Sequence, residues 1–304
     1  SFGTSSLGSM PDTYGYEVSE QRAQETLKRF FQGPVNMLDT SRNYAMGESE
    51  KRIGKAIKEN GGWPENFVLS TKIDRNMDTL VLDKKRTRES IEESLKTLNV
   101  DSVDVLFLHD PEYVKDINDV TKKDGAIDEL FKIKEEGLAK AVGLAMGKVD
   151  IMFPLLKDWD FDVIINHNRY TLLNREANEM YDYASSKNIA IFNAAPYAGG
   201  VLAKGPDNFK KITYQDATED KLAPAREFEK VCKKHNVELG AAALQFSLRD
   251  NRITSTICGV TSVESIEKNL AWANTNIPEE FWNEVLKLPY STKDPESERN
   301  FTPG

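Results

Sequence analysis

Short apolar or β-branched runs alternate with amphipathic segments along most of this chain. Eight runs have the length of buried strands, and they cover residues 2–5, 36–39, 67–71, 103–108, 139–144, 162–166, 189–194 and 254–258. A helical period with charged outer positions predicts eight helices, over residues 19–32, 49–60, 87–98, 125–136, 149–157, 176–186, 224–235 and 262–273. Eight strands, each followed by a helix, predict a closed (β/α)₈ TIM barrel.

The main alternative is a doubly wound open sheet, which would need a G-x-G-x-x-G turn directly after a strand. Gly199 and Gly200 lack that spacing. A length of 304 residues leaves one or two domains open, and the repeat favours one barrel domain over 1–304.

Three segments depart from the regular repeat. Residues 238–250 predict an additional helix before the last strand. Residues 195–221 predict a long loop with three glycines and two prolines, and the chain after Ile277 reads as a polar tail. Loops of this length in a compact domain are functional or mobile.

Composition narrows the partners. Lys and Arg number 40 against 49 Asp and Glu, a net charge of −9, and no basic run could follow a phosphate backbone, so we expect no nucleic-acid or membrane partner. No run approaches the roughly 18 apolar residues of a membrane span, and the first ten residues lack a signal-peptide pattern. Cys232 and Cys258 are too few for a disulfide framework and are badly spaced for zinc, so we expect reduced thiols, no metal and a cytoplasmic location.

Polar side chains stand where three successive strands end. Asp39 follows Met37-Leu38, Lys72 follows Leu69-Ser70-Thr71, and His109 follows Leu106-Phe107-Leu108. Tyr44 lies five residues after Asp39, on the way into the next helix. Because barrel enzymes carry their sites at the C-terminal ends of the strands, we expect these four side chains to share one mouth.

The four residues suggest proton transfer. Tyr44 would be the acid or base, although an unperturbed tyrosine has a pKa of about 10. A nearby Lys72 would lower that pKa, Asp39 would orient the ammonium group, and a neutral His109 would hydrogen-bond the substrate oxygen. Each residue alone also has a structural interpretation, as a cap, a half-buried ring or a solvated strand end; their occurrence at successive strand ends favours function.

The stretches LDTSRNYAMGESEKRIG, LSTK and LFLHD resemble the motifs of the aldo-keto reductases, and the resemblance runs from Phe2 to about Ala273. It implies a (β/α)₈ barrel, a nicotinamide cofactor across the strand ends and hydride transfer. Tyr44 would be the acid/base, Asp39 and Lys72 would tune it, and His109 would position the carbonyl.

The resemblance also implies cofactor contacts, at Thr4, Asp39, His167, Asn193, Ala195, Tyr197, Gly259, Thr261, Ser265 and Asn269. Three positions depart from the family: Ala145-Met146 replaces Ser-Asn, His167 replaces Gln, and Ala194 stands where an aromatic ring stacks on the nicotinamide. Asn166, Asn168, Asn193 or Tyr197 could substitute.

The choice between NAD and NADP as the cofactor depends on the last motif, ICGVTSVESIEKN. Members that use NADP carry Lys and Arg where this chain has Gly259 and Ser265. A 2′-phosphate needs cationic partners, so NAD is the expected cofactor, and Lys268 leaves NADP open.

The segments NHNRYTLLNR and NAAPYAGGVLAKG resemble the NAD-using aldose 1-dehydrogenases, which act on L-fucose-, D-arabinose- or L-galactose-like sugars, and their pyridoxal-oxidising relatives. That resemblance implies oxidation of an aldose at C1 to the lactone, with Tyr44 as the base. An NADPH-dependent reductase of small aldehydes or ketones, and a cofactor-sensing binding subunit, are the alternatives. We expect a monomer or a small homo-oligomer acting on a small carbonyl compound or sugar.

Overall fold

Eight parallel strands pair in a closed ring. The structure is a computed structural model, and it describes residues 1–298. The ring strands are β1 (Phe2–Gly3), β2 (Met37–Asp39), β3 (Val68–Ile73), β4 (Val103–His109), β5 (Ala139–Met146), β6 (Val163–His167), β7 (Ala190–Ala194) and β10 (Ser255–Gly259), while β8 (Lys211–Ile212) and β9 (Gln215–Asp216) form a separate hairpin. The ring order is β1-β10-β7-β6-β5-β4-β3-β2, which is the predicted TIM barrel.

Helices surround the ring. They are α1 (Pro11–Tyr14), α2 (Glu20–Phe30), α3 (Glu48–Glu59), α4 (Lys84–Leu98), α5 (Asn118–Thr121), α6 (Ala126–Glu135), α7 (Val149–Asp158), α8 (Asn178–Ser186), α9 (Val201–Lys204), α10 (Glu219–Lys234), α11 (Leu239–Leu248), α12 (Val263–Asn274) and α13 (Glu279–Val285). Each predicted strand and helix has a counterpart in the structure, including the additional helix as α11, although several bounds differ. None of the helices within residues 1–298 is both long and apolar enough to cross a membrane.

Two predictions about irregular segments are wrong. The helix predicted to start at Pro224 begins at Glu219, because Leu222 and Ala225 extend its buried face and Pro224 is accommodated inside the helix. The segment 195–221 therefore holds α9, the β8–β9 hairpin and the first turn of α10, in place of a continuous loop. The glycines and prolines correctly indicated turns in this segment, but they also led us to overlook α9 and the β8–β9 hairpin.

The polar tail after Ile277 is also more ordered than predicted. Helix α13 buries Phe281, Trp282 and Val285, which recur at helical spacing within an acidic stretch. Beyond α13, Ser291 pairs with Asn174. The chain then runs to Asp294 and Glu296, whose carboxylates pair with the buried Arg169 just after β6.

The pleat of the strands decides which side chains reach the barrel interior. An apolar cluster fills the ring from several strands, with Met37, Val105, Phe107, Ala145, Val163, Ile165, Phe192 and Ile257. Successive side chains on a strand point to opposite faces, so Asp39, Lys72, His109 and His167 share the interior parity of this cluster. They occupy the last inward positions at the C-terminal ends of their strands, where they form a polar layer above the apolar cluster.

Candidate active site

Asp39 and Lys72 form a buried ion pair at the mouth of the barrel. Lys72 Nζ lies 2.7 Å from Asp39 Oδ2, with side-chain exposures of 2% and 5%. The other carboxylate oxygen accepts from Ser70 Oγ at 2.6 Å. The pair is fully hydrogen-bonded, as a buried charge pair must be to be tolerated.

The ammonium group of Lys72 also sets the orientation of Tyr44. Lys72 Nζ donates to Asp39, to the carbonyl oxygen of Thr40 at 2.6 Å and to the hydroxyl oxygen of Tyr44 at 3.0 Å. An ammonium group has three protons, and these three acceptors use all of them. The Tyr44 oxygen is therefore an acceptor toward Lys72, and its own proton is left for a group in the cleft.

A left-handed turn presents Tyr44 to the mouth. The residues after it, Ala45 and Met46, have φ values of 51° and 54°, and Gly47 has a φ of 91°. Such values are uncommon for residues with a Cβ, and Gly47 has the further constraint that a Cβ would overlap the guanidinium of Arg42. The M-G-E-S-E sequence thus fixes the turn that leads into α3.

The pKa of Tyr44 departs from the prediction. Burial and the negative charge of Asp39, followed by Tyr14, Asp110 and Asp74, raise the pKa of Tyr44 well above its usual range. We expected a net lowering of this pKa by Lys72, and the net shift is upward instead. The physical reason is that Asp39 neutralises the nearest cation while burial penalises the phenolate.

His109 completes the set, together with a partner that the sequence did not suggest. The rings of Tyr44 and His109 meet edge to face, with centroids 5.6 Å apart. His109 Nδ1 lies 2.6 Å from Asp74 Oδ1, and Asp74 is 2% exposed. Burial opposes the imidazolium, but Asp74 and Asp110 outweigh it and raise the pKa of His109 above its usual range.

Asp110 lies between two imidazoles. Its Oδ2 is 3.8 Å from His109 Nε2, and its Oδ1 is 4.0 Å from Nε2 of His167. Asp110 has a φ of 45°, and its Oδ1 is buried without a hydrogen bond from any residue within 1–298. A strained backbone that carries an unsatisfied acceptor is typical of a functional position.

Glu112 adds a second carboxyl group beside Asp110. Its Oε1 accepts from the backbone N of Gly147 at 3.0 Å and of Lys148 at 3.3 Å. Burial, and next the charge of Asp110, raise the pKa of Glu112 to about 8, so this carboxyl is mostly protonated at neutral pH. Burial lowers the pKa of His167, which is then neutral.

The structure brings several predicted cofactor positions to the same end of the barrel. Ala194 ends β7 at the level of His167, and Ala195 follows with a φ of 56°. The hydroxyl of Tyr197 bonds Oδ1 of Asn269 on α12. Gly259 ends β10 next to open space, since a Cβ there would meet no atom within 4 Å.

Other predicted cofactor positions serve the fold around the site. The hydroxyl of Thr4 donates to the carbonyl oxygen of Asp39 at 2.9 Å and is buried behind that strand. Ser265 forms a capping box with Ser262 at the start of α12, and its hydroxyl accepts from the backbone N of Thr261 at 2.9 Å. These contacts shape the loop that leads into α12.

Two asparagines point away from the mouth. Asn193 is fully buried and bonds Tyr181, Ser247 and the carbonyl oxygen of Tyr170. Asn166 donates to the carbonyl oxygens of Met146 and Gly147. Each precedes an inward residue by one position, so the pleat directs both to the helix side of the sheet.

The residues present fit a nicotinamide cofactor. Asn168 Oδ1 is buried and accepts no hydrogen bond from residues 1–298, and its Nδ2 lies 3.3 Å from His167 Nδ1. Asn168 could accept from the carboxamide, the role for which the sequence offered it as a substitute. A Cβ at Gly259 would meet no atom within 4 Å, so the chain leaves open space at the end of β10, before α12. Within residues 1–298, no group of three or more His, Cys, Asp or Glu side chains is arranged to hold a metal ion.

Several known proteins are similar to this chain in sequence or in fold. L-galactose dehydrogenase of Arabidopsis thaliana is 30% identical over 274 residues, which cover 89% of this chain and 82% of that protein. D-threo-aldose 1-dehydrogenase of a Pseudomonas species is 28% identical over 296 residues, covering 89% and 88%. The holo form of aldo-keto reductase AKR11C1 from Bacillus halodurans superposes with a TM-score of 0.76 at 20% identity, covering 98% of this chain and 94% of that one.

The model of the aldo/keto reductase family matches residues 1–288. The match spans the barrel and all four residues at its mouth. The chain therefore belongs to the aldo/keto reductase family and is an oxidoreductase that acts on CH–OH or carbonyl groups with NAD(P).

Proposed function

We propose that this protein oxidises an aldose at C1 to the lactone, with NAD as the cofactor. The observation that carries the proposal is the acceptor-rich mouth, where Asp110 has a buried, unsatisfied oxygen between His109 and His167. Sugars present several hydroxyl donors, and a buried acceptor left unpaired costs about 1–3 kcal/mol. Two of the relatives described above are named as sugar dehydrogenases, which supports the same class of substrate.

Tyr44 handles the proton in this proposal. Oxidation of a cyclic aldose removes the C1 hydrogen with its electron pair and the proton of the anomeric hydroxyl, and C1 becomes the lactone carbonyl. The nicotinamide, when bound, accepts the hydride. Tyr44 takes the hydroxyl proton, and Lys72 stabilises the phenolate through the 3.0 Å contact. Because the pKa of Tyr44 is raised, the base form is scarce at neutral pH, and oxidation is expected to quicken as pH rises.

The proposed preference for NAD is supported by the residues that align with the family's adenine-end motif. Gly259 carries no side chain, and the hydroxyl of Ser265 is engaged in the cap of α12. Lys268 lies over the ring of Trp272, with Nζ 4.6 Å from the ring centroid. Gly259 and Ser265 therefore offer no cation to a 2′-phosphate, and the Lys268 ammonium group lies over an aromatic ring.

One contact favours the alternative, an NADPH-dependent reductase of small aldehydes or ketones. Arg22 on α2 reaches across to Thr261, with Nη2 3.4 Å from Oγ1. This cation comes from outside the family's phosphate motif, and it lies at the loop where a 2′-phosphate would need a partner. The Arg22→Gln variant would lose NADP binding selectively if Arg22 has this role.

Initial rates test the proposal. NAD⁺ with a panel of aldoses is compared with NADPH and 4-nitrobenzaldehyde. We expect sugar oxidation with NAD⁺; efficient NADPH turnover without sugar oxidation would contradict the proposal. The Asp110→Asn variant should raise KM for the aldose by about tenfold, the worth of a hydrogen bond to a charged group. Asp116→Asn, at an exposed position of the same loop, is the matched control.

The proposal also includes the cellular location and the oligomeric state of the protein. Cys232 and Cys258 are both free and buried, which supports a reducing, cytoplasmic location. We propose a monomer or small homo-oligomer, because all four residues at the mouth come from one chain.

A further inference from the structure

Asp74 is a buried carboxylate at the mouth that neither the sequence motifs nor the family resemblance singled out. It lies two residues beyond Lys72, so it shares the inward parity of that side chain. One oxygen contacts His109 Nδ1 at 2.6 Å. The other accepts from the hydroxyl of Ser41 and from the backbone N of Asn43 at 2.8 Å. Both oxygens are therefore engaged, and the carboxylate is held in one orientation.

We propose that Asp74 is a positioning residue of this active site, which holds His109 through Nδ1 and thereby determines what Nε2 offers to the substrate. The proposal rests on the proposed role of His109 at the substrate oxygen. It is independent of the sugar and of the choice between NAD and NADP.

The chemistry follows from the two ring nitrogens. An ionised Asp74 accepts a hydrogen bond, so the proton of a neutral His109 must be on Nδ1. Nε2 then carries a lone pair and accepts from a substrate hydroxyl. When the ring is protonated, Nε2 becomes a donor and suits a carbonyl oxygen. Asp74 thus links the protonation state of His109 to the oxidation state of the substrate it binds.

The charges around His109 come from several elements. They are Asp74 after β3, Lys72 on β3, Asp110 after β4, Tyr44 in the turn before α3, and His167 on β6. Asp74 is the carboxylate in direct contact with Nδ1, while Asp110 Oδ2 lies 3.8 Å from Nε2. Replacing Asp74 therefore changes the surroundings of Nδ1, and replacing Asp110 changes the surroundings of Nε2.

The variant Asp74→Asn has a defined expected geometry. The backbone N–H of Asn43 requires an acceptor, so the amide oxygen of the new side chain should stay toward Asn43. The amide NH₂ then faces Nδ1 of His109 and donates to it. The neutral ring is forced into the opposite tautomer, with its proton on Nε2. This variant also retains the acceptor that orders the chain before Tyr44.

The test is a two-bond ¹H–¹⁵N correlation spectrum of the ¹⁵N-labelled full chain, followed over pH. The chain has only three histidines, His109, His167 and His235, and His109→Asn assigns the first. We expect the Nδ1–H tautomer in the unsubstituted protein. In Asp74→Asn we expect the Nε2–H tautomer and a His109 pKa lower by at least about one unit, a tenfold loss of imidazolium above both pKa values.

Asp110→Asn is the matched control. It removes a carboxylate on the other side of the ring, so the pKa of His109 should fall while the Nδ1–H tautomer remains. A neutral Nε2–H tautomer in the unsubstituted protein overturns the proposal without any variant. An unchanged pKa and tautomer in a folded Asp74→Asn variant also overturns it.

The kinetic arm uses whichever cofactor and substrate pair the unsubstituted protein turns over. We expect the His109 limb of the pH profile of kcat/KM to move in Asp74→Asn by the same amount as the pKa in the spectrum. If the pKa moves and the limb stays in place, Asp74 has no role in the reaction. Failure of sugar oxidation alone would overturn the aldose assignment and leave the coupling of Asp74 to His109 intact.

Discussion

The ammonium nitrogen of Lys72 lies 3.0 Å from the hydroxyl oxygen of Tyr44, and this contact determines the direction of the phenolic proton. Because Lys72 is only a donor, Tyr44 must accept from it. The phenol is thereby left with one proton to exchange with a substrate.

Replacing Tyr44 by Phe removes that proton and preserves the ring that packs on His109. We expect turnover to fall by about 10²–10⁴-fold, the usual worth of a positioned acid or base. Cofactor binding, followed by the fluorescence of Trp272 near Asn269 and Tyr197, should be retained. Tyr183→Phe, on the outer helix α8, is the control; equal activity of the Tyr44→Phe variant would contradict the proposed role.

Replacing Lys72 by Met tests the buried ion pair with Asp39. Loss of the cation leaves the carboxylate buried and uncompensated, so we expect the free energy of unfolding to fall by about 3–5 kcal/mol in urea titrations. The double variant Asp39→Asn/Lys72→Met removes both charges and should recover part of that loss. The single variant Asp39→Asn completes the comparison. If the loss in the double variant equals the sum of the losses in the two single variants, the two charges are not coupled.

Glu50 gives the stability of the protein a specific pH dependence. This side chain is inaccessible to solvent, and its Oε1 accepts a hydrogen bond from Thr71 Oγ1 at 2.7 Å. Burial raises the pKa of Glu50 to about 7. A carboxyl with a raised folded pKa contributes stability that is full below the unfolded pKa and is lost as pH rises through about 7. Glu50→Gln mimics the protonated group. The variant should therefore match the unsubstituted protein in free energy of unfolding at pH 4 and exceed it by at most about 3 kcal/mol at pH 8.

Urea titrations of the Glu50→Gln variant at several pH values measure this effect. Glu65→Gln, at an exposed position, controls for the loss of one charge. A constant difference between Glu50→Gln and the unsubstituted protein from pH 4 to pH 8 would show that Glu50 does not titrate in this range.

Arg169 attaches the C-terminal segment to the barrel. Its side chain is fully buried and pairs with Glu296 and with Asp294, the latter at 2.5 Å. Arg169→Met should release residues 291–298, because the buried carboxylate of Glu296 would lose the cation with which it pairs. We expect rapid tryptic cleavage at Lys293 in the variant and slow cleavage in the unsubstituted protein. Arg249→Met, which removes an exposed pair with Glu279, is the control.

Much of the barrel was predictable because its signals are local. Each strand is a short apolar run, and each helix repeats its buried positions at the helical period, so eight units could be counted from the sequence alone. The position of the active site was predictable from one topological rule, which places the C-terminal ends of the strands together. Applied to the polar residues at or just after the strand ends, this rule identified Asp39, Tyr44, Lys72 and His109. Helix α13 was missed because its buried positions are few and its neighbours are acidic.

The pleat could have corrected two predictions. Asn166 and Asn193 each stand one position before an inward residue, and parity places them outside the ring. The same counting would have indicated Asp74, two residues after Lys72.

What the sequence determined by itself is the number, order and type of the elements and the set of chemical groups at the strand ends, since these depend on neighbours a few residues apart. The tertiary structure alone decided the contacts between groups from different strands. Asp74 meets His109 across 35 residues, and Arg169 meets Glu296 across 127. It also decided the direction of the pKa shifts of Tyr44 and His109, because these depend on burial and on charges that only closure of the barrel brings together.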